Sequence, residues 1–264
     1  MPGAGFADRY GPWAVVAGAS DGTGAEFARQ IAARGVGVVL VARRREVLDA
    51  LAAELPTESR VVVLDLSTEG AAAVLADATS DLEVGLFVYN AGADDQGEHF
   101  LAQPVDHLSA LIRRNCTTVM EACHHFGASM VGRGRGGVVV LSSGAAWAGS
   151  AYVATYGATK AFDLVLAEGL WAEWHDQGVD VLGLVLGATD TPALRKLLAT
   201  HGGDLGPLAD PADVVAEALE HVADGPTWCY GMPEPAGAFP LGSLPRRQAV
   251  ELMSQGSAAM HGGG

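Results

Sequence analysis

Residues 137–160 read GVVVLSSGAAWAGSAYVATYGATK, and the division of this stretch decides the fold. Positions 138–141 are β-branched or apolar without a break, the pattern of a short strand buried on both faces. Two serines and a run of small residues then make a loop. From Tyr156 onward apolar residues return at helical spacing and continue to Trp174. Tyr156 and Lys160 are one helical turn apart and project from the same face. Ser143 ends the strand, where the loop can bring its hydroxyl back over that face.

Those three side chains suit one kind of chemistry. A free tyrosine, with a pKa of about 10, is a poor base at neutral pH. A neighbouring ammonium group favours the phenolate. A phenol tuned in this way can give or take a proton at an alcohol or carbonyl oxygen, and a serine hydroxyl can hold that oxygen by a hydrogen bond. The plain alternative is an ordinary helix pair beside a serine that ends a strand. The rest of the chain decides between the two.

Toward the N-terminus, residues 13–17 form an apolar run, followed by Gly18-Ala19-Ser20-Asp21-Gly22-Thr23-Gly24 and a helical pattern over 25–34. Strand, glycine-rich turn and helix aim backbone N–H groups and a helix N-terminus at phosphate. Gly18 permits the tight turn, and Gly22 and Gly24 would let the backbone approach a pyrophosphate. The same residues spell G-x-S-x-G, the nucleophile elbow of hydrolases, with Ser20 at its centre. A hydrolase places strands before its elbow and has no use for the further Gly24.

A second strand at 36–41 leads into Ala42-Arg43-Arg44-Arg45. In a doubly wound fold this strand end meets the adenosine ribose. An acidic residue there would accept from a 2′-hydroxyl. Ala42 leaves room instead, and Arg43 or Arg44 can pair with a 2′-phosphate, which argues for NADP(H) over NAD(H). The other reading is a solvated basic loop. A third strand, 61–65, ends in Asp65, which can cap an adenine edge, and a helix is expected over 68–78. A fourth strand, 84–89, runs into Asn90-Ala91-Gly92, small enough to pass close to a cofactor, with Asn90 tying neighbouring loops together. Residues 104–132 read as one long helical region, and Asn115 inside it is either a surface choice or a buried polar device.

Beyond the central stretch, 180–186 is a further strand. The segment 187–207 suits a mobile lid over the strand ends, with Leu194, Leu197 and Leu198 facing either a substrate or simply the protein. A helix at 211–223, a short strand at 227–230, an irregular stretch at 233–245 and a short helix at 246–253 complete the chain. Residues 254–264 are polar and glycine-rich and are expected to form a loose tail. The helix from Tyr156 is apolar on more than one face, which suggests contact with another subunit.

The 264 residues suit one α/β domain, and no internal repeat or linker divides them. The net charge of −15 disfavours nucleic acid and acidic membranes as partners. Cys116, Cys123 and Cys229 show no paired spacing and read as reduced core thiols of a cytoplasmic protein. The histidines show no ligand spacing, so no metal site is expected. The N-terminus lacks a signal-peptide pattern, and no apolar run is long enough to span a bilayer.

Taken in order, Gly18/Gly22/Gly24, Asn90-Ala91-Gly92, Asn115, Ser143, Tyr156 and Lys160 resemble the short-chain dehydrogenase/reductase family in its single-domain form, over roughly residues 10–230. Tyr156 follows Ser143 by thirteen positions (156 − 143), the family spacing, which selects Ser143 over Ser142. The resemblance implies that Tyr156 is the general acid/base and that Lys160 favours its ionised form and binds the nicotinamide ribose. It also implies that Ser143 orients the substrate oxygen and that Asn115 supports a proton-relay water. Ser20, Thr23, Asn90, Ala91 and Gly92 would line the cofactor, with Asp65 and Leu66 near adenine. Gly187, Thr189 and Thr191 would lie near the carboxamide. Leu186 stands where the family has proline, a departure that bears on the loop and on the pocket beside it.

The expectation is therefore one doubly wound (Rossmann) domain over 1–253, with a parallel sheet of about seven strands and helices on both faces. The expected function is ketone/alcohol interconversion with NADP(H), by a homodimer or homotetramer. Ser143, Ala145, Trp147 and Leu194 would border a hydrophobic small-molecule substrate (steroid, acyl or aromatic), although Trp147 also reads as a core residue. The alternatives are a hydrolase using Ser20 and a dinucleotide-binding sensor without catalysis.

Overall fold

Uninterrupted valine and leucine runs form strands here because helices cover both faces of the sheet, so both alternating sets of side chains need apolar surroundings. The protein is described by a computed structural model covering residues 5–94, 96–231, 241 and 243–261. Its strands are β1 (Trp13–Ala17), β2 (Gly37–Ala42), β3 (Ser59–Val63), β4 (Val84–Tyr89), β5 (Gly136–Ser143), β6 (Val179–Leu186) and β7 (Thr227–Cys229). They form one seven-stranded sheet in the order β3-β2-β1-β4-β5-β6-β7, with every pairing parallel.

The helices are α1 (Phe6–Tyr10), α2 (Gly22–Ala33), α3 (Arg45–Glu54), α4 (Ala71–Ala78), α5 (Val105–Ile112), α6 (Val119–Arg133), α7 (Ala154–Trp174), α8 (Pro192–His201), α9 (Pro211–Glu220) and α10 (Arg246–Met260). Strand alternation divides the core into two layers. Val16, Leu86 and Val88 point to the side of Phe27 and Ile31 on α2, Leu48 on α3 and Val215 on α9. Val15, Phe87 and Tyr89 point to the side of Leu75 on α4, Phe126 and Met130 on α6 and Ala167 on α7. The order reverses between β1 and β4, and the crevice at their C-terminal ends is the topological switch point where such sheets bind ligands.

Several boundaries differ from expectation. β3 ends at Val63, so Asp65 lies in the loop beyond it, and α4 begins at Ala71 rather than 68. The long helix expected over 104–132 is α5 and α6 joined by a π-helical turn, Arg113–Thr118, with Asn115 inside it. Such turns recur at functional sites. The short helix α1 had no sequence signal. Arg9 donates to both carboxylate oxygens of Asp180 at 2.6 and 2.5 Å, and Tyr10 Oη donates to the same group at 2.7 Å.

The expected loose tail from Ser254 is instead the last part of α10. Its polar side chains are used. Ser257 is buried, with its Oγ 2.6 Å from Ser150 Oγ. Ser254 Oγ accepts from Ala151 N at 3.1 Å, and the His261 ring stacks on Tyr152. Tertiary contacts override a weak local helix propensity. The expected irregular stretch at 233–245 lies largely outside the described residues. Among the described residues no helix is long and apolar enough to cross a membrane.

Candidate active site

The β1–α2 turn is built on close approach. Gly18 has φ +86°, and a Cβ there would sit 2.7 Å from Ala91 N. A Cβ on Gly24 would collide with the Gly18 carbonyl oxygen. Gly24 therefore serves close packing of α2 on the end of β1. The amides of Gly22 and Thr23, at the start of α2, donate to no protein acceptor among the described residues. Asp21, at the N-cap position, gives that helix no side-chain cap. The turn thus presents open N–H groups at a positive helix end, the chemistry of a phosphate cradle. Asn90 holds it in place. Its amide donates to Gly18 O at 2.9 Å, and its carbonyl oxygen accepts from Thr23 Oγ1 at 2.6 Å. The tying role read from the sequence is present.

Two arginines at the end of β2 differ in occupation. Arg44 donates to Asp21 at 2.6 Å and to Ser20 Oγ at 3.3 Å. Arg43 is exposed and makes no hydrogen bond or ion pair with the described residues. Ser20 has Arg44 and no imidazole among its hydrogen-bond partners, so the hydrolase reading lacks its base. Asp65 accepts from Ser67 N and Oγ at 2.9 and 2.6 Å. Burial alone would raise its carboxyl. The Ser67 hydrogen bonds and the charges of Arg43 and Arg114 outweigh burial and hold it below the usual range. Leu66 is buried, and its carbonyl accepts from Thr118 Oγ1 at 2.9 Å.

Hydrogen bonds and close contacts tie Asn115, Lys160 and the backbone of Tyr156 to the ends of β4 and β5, where Ser143 also lies. Asn115 is fully buried, and its amide donates to Gly92 O at 3.0 Å and Thr159 Oγ1 at 2.9 Å. It is thus the buried polar device, not the surface choice. Thr159 in turn donates to Tyr156 O at 2.8 Å. These bonds join the π-helical turn, the β4 loop and α7. The two serines have separate duties. Ser142 Oγ is buried and donates to Lys160 O at 2.7 Å, pinning α7 to β5. Ser143 is half-buried, and its Oγ accepts from Ala145 N at 3.2 Å, which leaves its proton for a substrate oxygen.

Lys160 differs from expectation. Its Nζ donates to Leu141 O at 2.8 Å and to Asp163 Oδ2 at 3.0 Å, and no hydrogen bond among the described residues joins it to Tyr156 Oη. A buried ammonium turns to the strongest acceptor in reach, here a carboxylate three residues along the same helix. Nζ still lies at the cleft, because a Cβ on Gly92 would sit 2.6 Å from it. Asp163 is the residue that sequence reasoning missed. Its signal was an acid on a helix face otherwise made of core residues.

The lid segment reaches back over the site. Gly187 is exposed, while Thr189 is buried and bridges to Ala209. Thr191 packs on Gly22 and caps α8 by accepting from Leu194 N at 3.2 Å. At its far end His201 Nε2 lies 3.1 Å from Gln96 O. Leu186 packs on the sheet core in the place of the family's proline. Leu194 is half-buried on α8, and Ala145 is half-buried beside Ser143. Trp147 packs with Ala146 against Leu164, Val185 and Cys229, as a core residue would.

Exchange of each serine separates the two duties. Ser143→Ala is expected to lower turnover about 10²-fold, a loss much larger than the about 1 kcal/mol of stability that goes with its cap on Ala145 N. Ser142→Ala is expected to cost about 1 kcal/mol of stability, because it leaves a buried carbonyl with one partner fewer. Steady-state rates beside thermal melts check both.

A parallel sheet with a glycine turn at its switch point and a Ser–Tyr–Lys cluster opposite defines a dinucleotide-dependent oxidoreductase. The family model described as short chain dehydrogenase matches residues 12–202. A 7beta-hydroxysteroid dehydrogenase from Clostridium sardiniense is 32% identical over 232 residues, which cover 86% of this chain and 88% of the relative. A solved structure concerned with 7beta-hydroxysteroid dehydrogenase stereoselectivity superposes with a TM-score of 0.84 at 30% identity, over 95% of this chain and 99% of the other. A short-chain dehydrogenase from Sphingobium yanoikuyae in complex with NADPH superposes with a TM-score of 0.77 at 29% identity, over 93% and 94% of the two chains. This chain belongs to the short-chain dehydrogenase family, whose members act on CH–OH and C=O groups.

Proposed function

We propose that this protein interconverts a ketone and a secondary alcohol with NADP(H), on a hydrophobic substrate of the steroid class. The observation that carries the reading is that Asn115 ties Gly92 to Thr159 and so to the Tyr156 turn of α7, with Lys160 Nζ against Gly92 and Ser143 at the end of β5. The residues present fit the cofactor. The Gly22 and Thr23 amides suit its phosphates, and unpaired Arg43 suits a 2′-phosphate. Asp65 and Leu66 would hold the adenine, and Asn90, Ala91 and Gly92 would line the cofactor. Gly187, Thr189 and Thr191 would meet the carboxamide. The nicotinamide supplies or accepts the hydride when bound.

Tyr156 gives its phenolic proton to the carbonyl oxygen in reduction and takes it back in oxidation. Ser143 Oγ donates to the same oxygen and holds it. Lys160 keeps one of its three N–H groups for the cleft, since Leu141 and Asp163 take the other two. Asn115 holds the Gly92 carbonyl and, through Thr159, the first turn of α7 in place.

Support for a steroid comes from the hydroxysteroid dehydrogenases among the relatives and from the apolar half-buried side chains Ala145 and Leu194 beside the lid. Support for a second copy of the chain as partner comes from the outer face of α7. Phe162 and Val165 are exposed there beside Ala158, Ala161 and Leu166. A light-scattering mass of two or four chains is expected. The free cysteines fit a cytoplasmic protein.

Keto-steroids, 3-oxoacyl thioesters and aromatic ketones, each offered with NADPH and followed by loss of NADPH absorbance, test the function. Turnover is expected, fastest with a keto-steroid. Tight NADPH binding with no turnover on any ketone would establish the sensor instead.

A further inference from the structure

Stability alone does not account for an aspartate at position 163. Its side chain is fully buried on α7, next to the core residue Leu164 and one turn before Ala167. Burying two opposite charges costs about as much as their attraction returns, and a well-packed apolar pair is commonly as stable. One oxygen, Oδ1, has no hydrogen-bond partner among the described residues. The other, Oδ2, accepts from Lys160 Nζ, whose side chain is only 5% exposed. A charge so enclosed has lost its hydration and calls for an opposite charge and hydrogen-bond acceptors beside it. Among the described residues, Asp163 alone forms an ion pair with it.

The geometry adds a second constraint. The same Nζ donates to Leu141 O, on the strand that carries Ser143, and Lys160 shares a helix with Tyr156. The carboxylate and the carbonyl together leave the ammonium a single free N–H. They hold it against Gly92, at the floor of the cleft.

We infer that Asp163 is a positioning residue for the reaction, the buried counter-ion that fixes the Lys160 ammonium where bound dinucleotide meets it. This rests on the reading of Lys160 as a cofactor-binding lysine. Asp163 touches neither substrate nor cofactor and acts through Lys160.

The groups facing Asp163 are Lys160 on its own helix, Tyr89 on β4, Cys116 in the π-helical turn and Cys123 on α6. Burial, with a smaller contribution from the Asp163 charge, pushes Cys116 up to about 11 and raises Tyr89 and Cys123 well above their ordinary values. All three are neutral through the acid range. Burial also pushes the Asp163 carboxyl up to about 6, against the pull of the Lys160 charge and hydrogen bond. Below that pH the carboxyl takes a proton and the counter-charge is lost.

The test compares wild type with Asp163→Asn, Asp163→Ser and Asp163→Glu. The Kd for NADPH is read by tryptophan fluorescence between pH 5 and 8, and kcat for ketone reduction is read over the same range. At pH 8 the Asn and Ser variants are expected to bind NADPH about tenfold more weakly than wild type. That ratio is expected to fall toward one at pH 5, where wild-type Asp163 is itself uncharged. Taking the ratio cancels any titration of the cofactor's phosphate. The Glu variant, which keeps the charge, is expected to restore most of the affinity. Asp163→Ser stands in for the amide if the latter does not fold. A ratio near one at pH 8, or one that does not change with pH, would overturn the inference and leave Asp163 a packing residue. The binding arm decides the matter even if no ketone is turned over, a result that would count against the proposed reaction alone. Failure of wild type to bind NADPH would overturn both.

Discussion

Tyr156→Phe is expected to lower kcat/KM for ketone reduction about 10³-fold while leaving the Kd for NADPH within twofold of wild type. The exchange removes one oxygen and keeps the ring. Tyr156 Oη has no hydrogen-bond partner among the described residues, and the only hydrogen bond shown for the residue beyond its helix ladder is made by its backbone carbonyl with Thr159. No structural network is lost with the hydroxyl, and the melting temperature should not move. A fall in rate with unchanged binding and stability is the signature of a group needed only in the transition state. Steady-state kinetics on a substrate of the wild type, beside an NADPH titration, measure it. A variant within fivefold of wild type would remove Tyr156 from the acid/base role.

Arg43→Ala is expected to lower kcat/KM with NADPH by about 10- to 100-fold and to leave the NADH rate unchanged. A charge-assisted hydrogen bond to phosphate is worth about 1.5–3 kcal/mol. The structure distinguishes this residue from its neighbour. Arg44 is already held by Asp21 and Ser20, whereas Arg43 is exposed, makes no hydrogen bond or ion pair with the described residues, and feels only the charge of Asp65. Arg44→Ala should therefore change coenzyme choice much less than Arg43→Ala. Parallel assays with the two coenzymes decide it. A wild type that prefers NADH would overturn the assignment, as would an Arg44 variant that loses more discrimination than the Arg43 variant.

Residues whose duties follow from local pattern were legible in the chain. The runs at 13–17, 84–89 and 138–141 are unbroken and β-branched, so their identity as buried strands needed no partner to be visible. The turn from Gly18 to Gly24 announced itself by composition, and Ser143, Tyr156 and Lys160 by spacing. What was illegible depended on neighbours distant in sequence. That Gly24 leaves room for the Gly18 carbonyl could not be read from the glycine spacing. Residues 254–260 looked too polar to fold, yet their serines meet Ser150 and Ala151 from the far end of the chain. The break in the helix at Asn115 had no sequence mark. It is tied to the reach of the Asn115 amide to Gly92 and Thr159.

The chain by itself determined a parallel, doubly wound sheet and the order of reactive side chains along it. Hydrophobic period and motif spacing are properties of contiguous residues and survive without a partner. Only the tertiary structure decided which acceptor holds the lysine, which serine is free, and which arginine remains open to an anion. Each of those outcomes is a competition among hydrogen-bonding groups brought together by packing. Asp163 wins the ammonium, the Lys160 carbonyl occupies Ser142, and Asp21 occupies Arg44.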